Sequence, residues 1–122
     1  MLKEEELTGK IIGVAMRVHS ELGPGFKENI YHKAMIVAMK HAGIKVSTEV
    51  QFPVKLGIDK VGMFRVDLLI EEKVIVEIKA VCGIMPKIFR AQVISYLKAS
   101  GKEVGLILNF GNPSLEYKRY AH

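Results

Sequence analysis

Three residues of this 122-residue chain carry chemistry that apolar patterning does not explain: Asp67, Glu77 and Lys79. They lie in R-V-D-L-L-I-E-E-K-V-I-V-E-I-K, from Arg65 to Lys79, which reads as two strands joined by a short acidic turn. With the turn centred on Glu72, Asp67 falls opposite Glu77, their Cβ atoms roughly 5 Å apart. Like charges there repel, and a cation between them turns the repulsion into attraction. Carboxylates on neighbouring strands can hold Mg²⁺ through one or two oxygens, leaving octahedral positions for water and a phosphate. The metal then polarises the phosphoryl group and lowers the pKa of a bound water. Lys79, two residues after Glu77 and on the same face, can orient that water or stabilise developing charge. From spacing alone, an ordinary ion-pair network on a strand face fits D-x9-E-x-K equally well.

Period-two alternation gives the hairpin one wholly apolar face: Phe64, Val66, Leu68 and Ile70 on the first strand, Val74, Val76, Ile78 and Ala80 on the second. Arg65, Asp67, Leu69, Ile75, Glu77 and Lys79 share the other. Two helices come before it. Leu7 to Leu22 places Leu7, Ile11, Ile12, Ala15, Val18 and Leu22 on one stripe, with Thr8 as the expected N-cap. Gly9 and Gly13 each weaken this helix by roughly 1 kcal/mol relative to alanine. His19 borders the stripe as a satisfied or half-exposed histidine. Gly23-Pro24-Gly25 ends the helix. The second helix, Phe26 to Ala42, is apolar on so many sides that it should be largely buried. Glu28 lies in its first turn with Tyr31, His32 and Met35 on the same side, where it can simply complement the helix dipole.

Val46 to Gln51 alternates as a strand, and Pro53 marks an edge or a bend. Val54 to Leu56 continues the ribbon to a turn at Gly57–Lys60, and Val61 leads into the hairpin. After Lys79 a third helix, Met85 to Ser100, turns Phe89, Val93, Tyr96 and Leu97 inward and projects Gln92 and Tyr96 from one face. Val104 to Phe110 reads as a strand covered on both faces, and Leu115 to Tyr120 as a polar edge strand. The expected order is α-α-β-β-β-β-α-β-β, an α+β or α/β arrangement around a mixed sheet.

The chain is 49% hydrophobic, enough for one domain with a real core over residues 1–122 and too short for two ordinary ones. A formal charge of +5 and a pI near 9.4 fit a polyanion-binding surface. One cysteine, Cys82, excludes an internal disulfide, and the four histidines show no metal-ligand spacing with it. No apolar run reaches the ~18 residues of a membrane span, and the acidic amino terminus is unlike a signal peptide. The expected location is the cytoplasm.

Three motifs, in order, extend the reading. Gly25, Glu28 and Tyr31 stand in G-P-G-F-K-E-N-I-Y; Asp67 is followed by E-I-K at Glu77–Lys79; Gln92 and Tyr96 stand in Q-V-I-S-Y. Over nearly its whole length the chain resembles the GxxExxY family of the PD-(D/E)xK nuclease superfamily, the last motif being similar to the Q-x-x-x-Y signature of exonuclease-type members. Val66 stands where the superfamily's name places proline. The resemblance implies a restriction-endonuclease-like core, a central mixed sheet flanked by helices with two of them at the amino terminus. It implies a Mg²⁺- or Mn²⁺-dependent nuclease acting on nucleic acid, with DNA the expected substrate. Asp67, Glu77, the Ile78 carbonyl and Glu28 become metal ligands, Lys79 the catalytic lysine, and Gln92 a residue that steadies the site. Tyr96 contacts phosphate or packs. Arg65, at the open end of the hairpin, makes a phosphate contact or a salt bridge. For Tyr31 the core role is the stronger one. A homodimer would let so small a nuclease cut both strands. The reading of a different class is a non-catalytic nucleic-acid-binding or regulatory module that keeps the fold.

Overall fold

A computed structural model describes residues 3–122. Three helices, α1 (Glu5–Leu22), α2 (Glu28–His41) and α3 (Ile88–Ser100), flank five strands: β1 (Val46–Leu56), β2 (Asp59–Ile70), β3 (Val74–Lys79), β4 (Val104–Asn109) and β5 (Glu116–Ala121). The sheet order is β1-β2-β3-β4-β5. Among the described residues only the β3–β4 pair is parallel, joined by the α3 crossover; the other three pairs are antiparallel. The result is the expected α+β architecture around a mixed sheet. No helix among the described residues is long and apolar enough to cross a membrane.

The α1 and α2 side of the sheet buries Ile11, Ala15, Tyr31, Met35 and Met39 against Leu68, Val76, Ile78, Leu106, Leu108 and Phe110. The α3 side buries Val93 and Leu97 against Val66, Leu69, Ile75 and Ile107. β4 is buried along its whole length because both layers cover it, as its unbroken apolar run requires.

Several local expectations change. The first helix begins before Thr8, which is buried inside it and bonds the Glu5 carbonyl. α2 is buried along one stripe only: Tyr31, Met35 and Met39 are inaccessible, whereas Ile30 and Val37 are exposed. The fourth strand expected before α3 does not exist as a separate element. β1 runs without interruption through Pro53, which pairs with Met63; the strand lies at the sheet edge, where a missing N–H can face outward.

The hairpin turn is centred as its spacing predicts. Lys73 N–H donates to the Ile70 carbonyl, and Glu71 and Glu72 both have positive φ, the type I′ geometry that matches strand twist. The apolar face is not continuous, however. Leu68 and Ile70 face α1 and α2, whereas Val66 and Phe64 pack on the α3 side. Alternation breaks at Asp67, opposite Glu49, whose φ is +53°, and no rung joins these two residues although the pairing resumes at Val50↔Val66.

The chain leaving β3 is clamped to the end of β4. Buried Asn109 accepts from Val81 N–H at 2.8 Å and donates back to its carbonyl at 2.9 Å. Asn112 makes the same two-way bond to Gly83. Between them Gly111 lies against the Val81 backbone, where an added Cβ would stand 2.5 Å from three main-chain atoms. Gly111→Ala is therefore expected to destabilise the protein by about 1–3 kcal/mol. Gly13→Ala, in a helix with open space around the site, should stabilise it by up to about 1 kcal/mol. Urea denaturation of both variants checks the pair of opposite signs.

Candidate active site

The β2–β3 ladder runs Ile70↔Val74, Leu69↔Ile75, Leu68↔Val76, and the next rung would set Asp67 against Glu77. At that rung side chains replace main-chain bonds. Asp67 N–H donates to Glu77 Oε2 at 2.8 Å, and Ile78 N–H donates to Asp67 Oδ2 at 2.8 Å. Each carboxylate thus holds the opposite strand and keeps one oxygen, Asp67 Oδ1 or Glu77 Oε1, outside these bonds. Glu77 is 4% exposed. Burial, then the neighbouring Asp67 charge, push its carboxyl up to about 8 from an ordinary 4.5; the Asp67 N–H and Lys79 work the other way.

Lys79 follows on the same face. Its Nζ donates to Gln92 Oε1 at 3.4 Å and lies 4.2 Å from the centroid of the Phe89 ring, so two residues of α3, three positions apart, hold the ammonium beside the acids. Tyr96, one turn after Gln92, stacks on Phe64 at 4.5 Å between centroids. Desolvation and the charges of Glu77 and Asp67 raise its phenol pKa, with Gln92 partly offsetting them.

α2 supplies the acid from the other layer. Glu28 opens the helix, and its carboxyl pKa is raised by desolvation and by Asp67, against the opposing charges of Lys79 and His32. His32, four residues on, holds α2 to the strand: its Nε2 stands 3.1 Å from the Asp67 carbonyl oxygen, which can only accept, so the ring nitrogen carries the proton. Sequence reasoning did not give His32 or Phe89 a role at the site; the i, i+4 spacing of Glu28 and His32 was the available signal. Among the described residues no three His, Cys, Asp or Glu side chains converge as a ready-made ligand set. Glu28 lies near enough to the pair that the Asp67 charge acts on its carboxyl and its own charge acts on Glu77.

Other expected residues fall elsewhere. Arg65 makes an ion pair with Glu49 at 3.8 Å, and because Phe64 and Val66 pack on the α3 side, alternation turns Arg65 to the opposite face. Tyr31 is core: fully buried, stacked on Phe110 at 4.7 Å, and donating to the Gly23 carbonyl at 2.6 Å. His19 is a satisfied histidine, bonded to the Asn112 carbonyl at 2.8 Å.

The chain and its fold have known counterparts. The family model of the PD-(D/E)XK nuclease superfamily matches residues 5–120. The chain belongs to that superfamily. Its three helices and five-stranded mixed sheet are the restriction-endonuclease-like core. Among solved structures, the crystal structure of SSO0001 is similar in fold, with a TM-score of 0.59 and 19% identity over 77% of this chain. The match spans 49% of that longer protein. No curated protein matches the sequence.

PD-(D/E)XK nucleases generally use divalent metals, and the donor set here suits a hard dication. It offers two carboxylates on adjacent strands, each with one oxygen outside the inter-strand bonds, in a site whose charges repel without a cation. The metal-free protein holds the penalty. Because folding raises the Glu77 pKa to about 8, the folded state holds this proton more tightly than the unfolded chain. The stabilisation is complete below about 4.5 and gone above about 8. In metal-free buffer Glu77→Gln should therefore melt above the parent at pH 8, and the gap should close near pH 4.5. Scanning calorimetry at both pH values checks this, and an equal gap at the two would contradict the assigned cause.

Proposed function

We propose that this member of the nuclease superfamily hydrolyses phosphodiester bonds of DNA with Mg²⁺ or Mn²⁺. The observation that carries the reading is the reciprocal Asp67–Glu77 pair, two carboxylates fixed side by side by each other's strands with the Lys79 ammonium on the same face. Asp67, Glu77 and the Ile78 carbonyl would hold the metal directly. Glu28, whose charge interacts with both Asp67 and Glu77, would complete the acidic cluster that holds it. The metal supplies charge stabilisation at the phosphoryl group and a more acidic water.

The protein's own residues do the rest. Lys79, held by Gln92 and Phe89, presents a fixed positive charge toward the phosphate as negative charge develops there. Gln92 positions Lys79, and Tyr96, stacked on Phe64, offers its hydroxyl to a phosphate oxygen. His32 fixes the Asp67 main chain and with it the carboxylate. Arg65 serves the hairpin through Glu49. The G-x-x-E-x-x-Y run at Gly25, Glu28 and Tyr31 supports the narrower GxxExxY assignment. Its tyrosine locks the turn before α2 through the Gly23 carbonyl and the Phe26 N–H, and its glutamate faces the acidic pair.

Purified protein should nick or degrade DNA only when Mg²⁺ or Mn²⁺ is present, and Lys79→Ala should slow this by about a hundredfold or more without loss of the cooperative melt. Undiminished metal-dependent cleavage by the Lys79→Ala protein overturns the assignment. Mn²⁺ should also raise the melting temperature of the parent, by mass action on the folded state, and have little effect on Asp67→Asn.

A further inference from the structure

A cleft of about 730 Å³ lies along α3 where it meets β4 and β5. Its lining carries four cations, Lys87, Arg90 and Lys98 from α3 and its N-cap, and Lys118 from β5, and no acid. All four are exposed. Partly buried Phe89 and Tyr120 also line it. Phe89 also borders the candidate site, since Lys79 Nζ lies 4.2 Å from the centroid of its ring. The cleft thus runs from an acid-free basic face toward the catalytic lysine.

We infer that this cleft seats one strand of the nucleic acid whose phosphodiester reaches Lys79, an inference that rests on the nuclease reading above. Charge and shape argue for it together. From Lys87 to Lys98 is eleven residues of helical rise, about 16 Å, the span of about five phosphates at ~3.4 Å per phosphate on one strand. Lys118 faces the same space from the opposite wall, so a backbone lying in the cleft meets cations on both sides. Phe89 and Tyr120 give flat apolar surface for base stacking, which is sequence-tolerant. The geometry therefore assigns contacts to phosphate and base faces and no reading of base edges. By contrast, the α1–α2 cleft has Glu21 among its cations.

Fluorescence anisotropy with a labelled single-stranded oligonucleotide tests the proposal, with Ca²⁺ replacing Mg²⁺ to suppress cleavage, over a series of salt concentrations. The double variant Lys98→Gln/Lys118→Gln should bind at least tenfold more weakly at low salt. Its slope of log K against log salt should be shallower by about 1.4, at ~0.7 per phosphate contact on a single strand. Lys33→Gln/Lys40→Gln removes the same charge from exposed positions of α2 and should leave the slope unchanged. If the two double variants show equal slopes, the cleft is not the strand's seat, and the nuclease reading stands. A parent protein that binds no nucleic acid at low salt overturns both.

Discussion

Two carboxylates that repel each other are held together by the backbone of the opposite strand. Asp67 accepts from Ile78 N–H, and Glu77 accepts from Asp67 N–H. These bonds stand in for the ladder bonds that strand pairing would otherwise make, so β2 and β3 stay joined while the acids stay side by side. Burial of Glu77 makes its ionised form costly. That cost favours a proton or a cation at the rung, and Lys79, held nearby by Gln92 and Phe89, offsets it only in part.

The two apolar layers divide the work of furnishing the rung. α2 packs through Tyr31, Met35 and Met39, docks on the Asp67 carbonyl through His32, and brings Glu28 to the acids' vicinity. α3 packs through Val93 and Leu97 and turns Phe89 and Gln92 toward Lys79. Gly105 permits this close seating of α3, since a Cβ there would meet Val93 Cγ1 at 2.7 Å. The Asn109 and Asn112 clamps then fix the chain immediately after Lys79, limiting how far the lysine's backbone can drift from the Asp67–Glu77 rung.

Much of the fold could be read in advance because local rules and tertiary packing agree there. The turn at Glu71–Glu72, the resulting Asp67–Glu77 register and the doubly covered β4 all follow from alternation and run length. Reading failed where a long-range bond overrides a local rule. Val66 and Phe64 belong by strict period two with Leu68, but the broken rung at Asp67 and Glu49 moves them to the α3 side and turns Arg65 away with them. Of the edge or the bend that Pro53 allowed, the structure has the edge, with β1 continuing through it.

For the candidate site, the residue types and their order along the chain were determined by sequence: Glu28, then Asp67, then Glu77 and Lys79, then Gln92 and Tyr96, each on the helix or strand expected for it. Only the tertiary structure decided the contacts among them. His32 meets Asp67 across 35 positions and Phe89 lies under Lys79 ten positions away, pairings set by how helices seat on a twisted sheet. It also decided that the cations of α3 and β5 line one cleft. Spacing along a strand or helix fixes direction over a few residues, whereas distance between elements depends on the packing of every side chain between them.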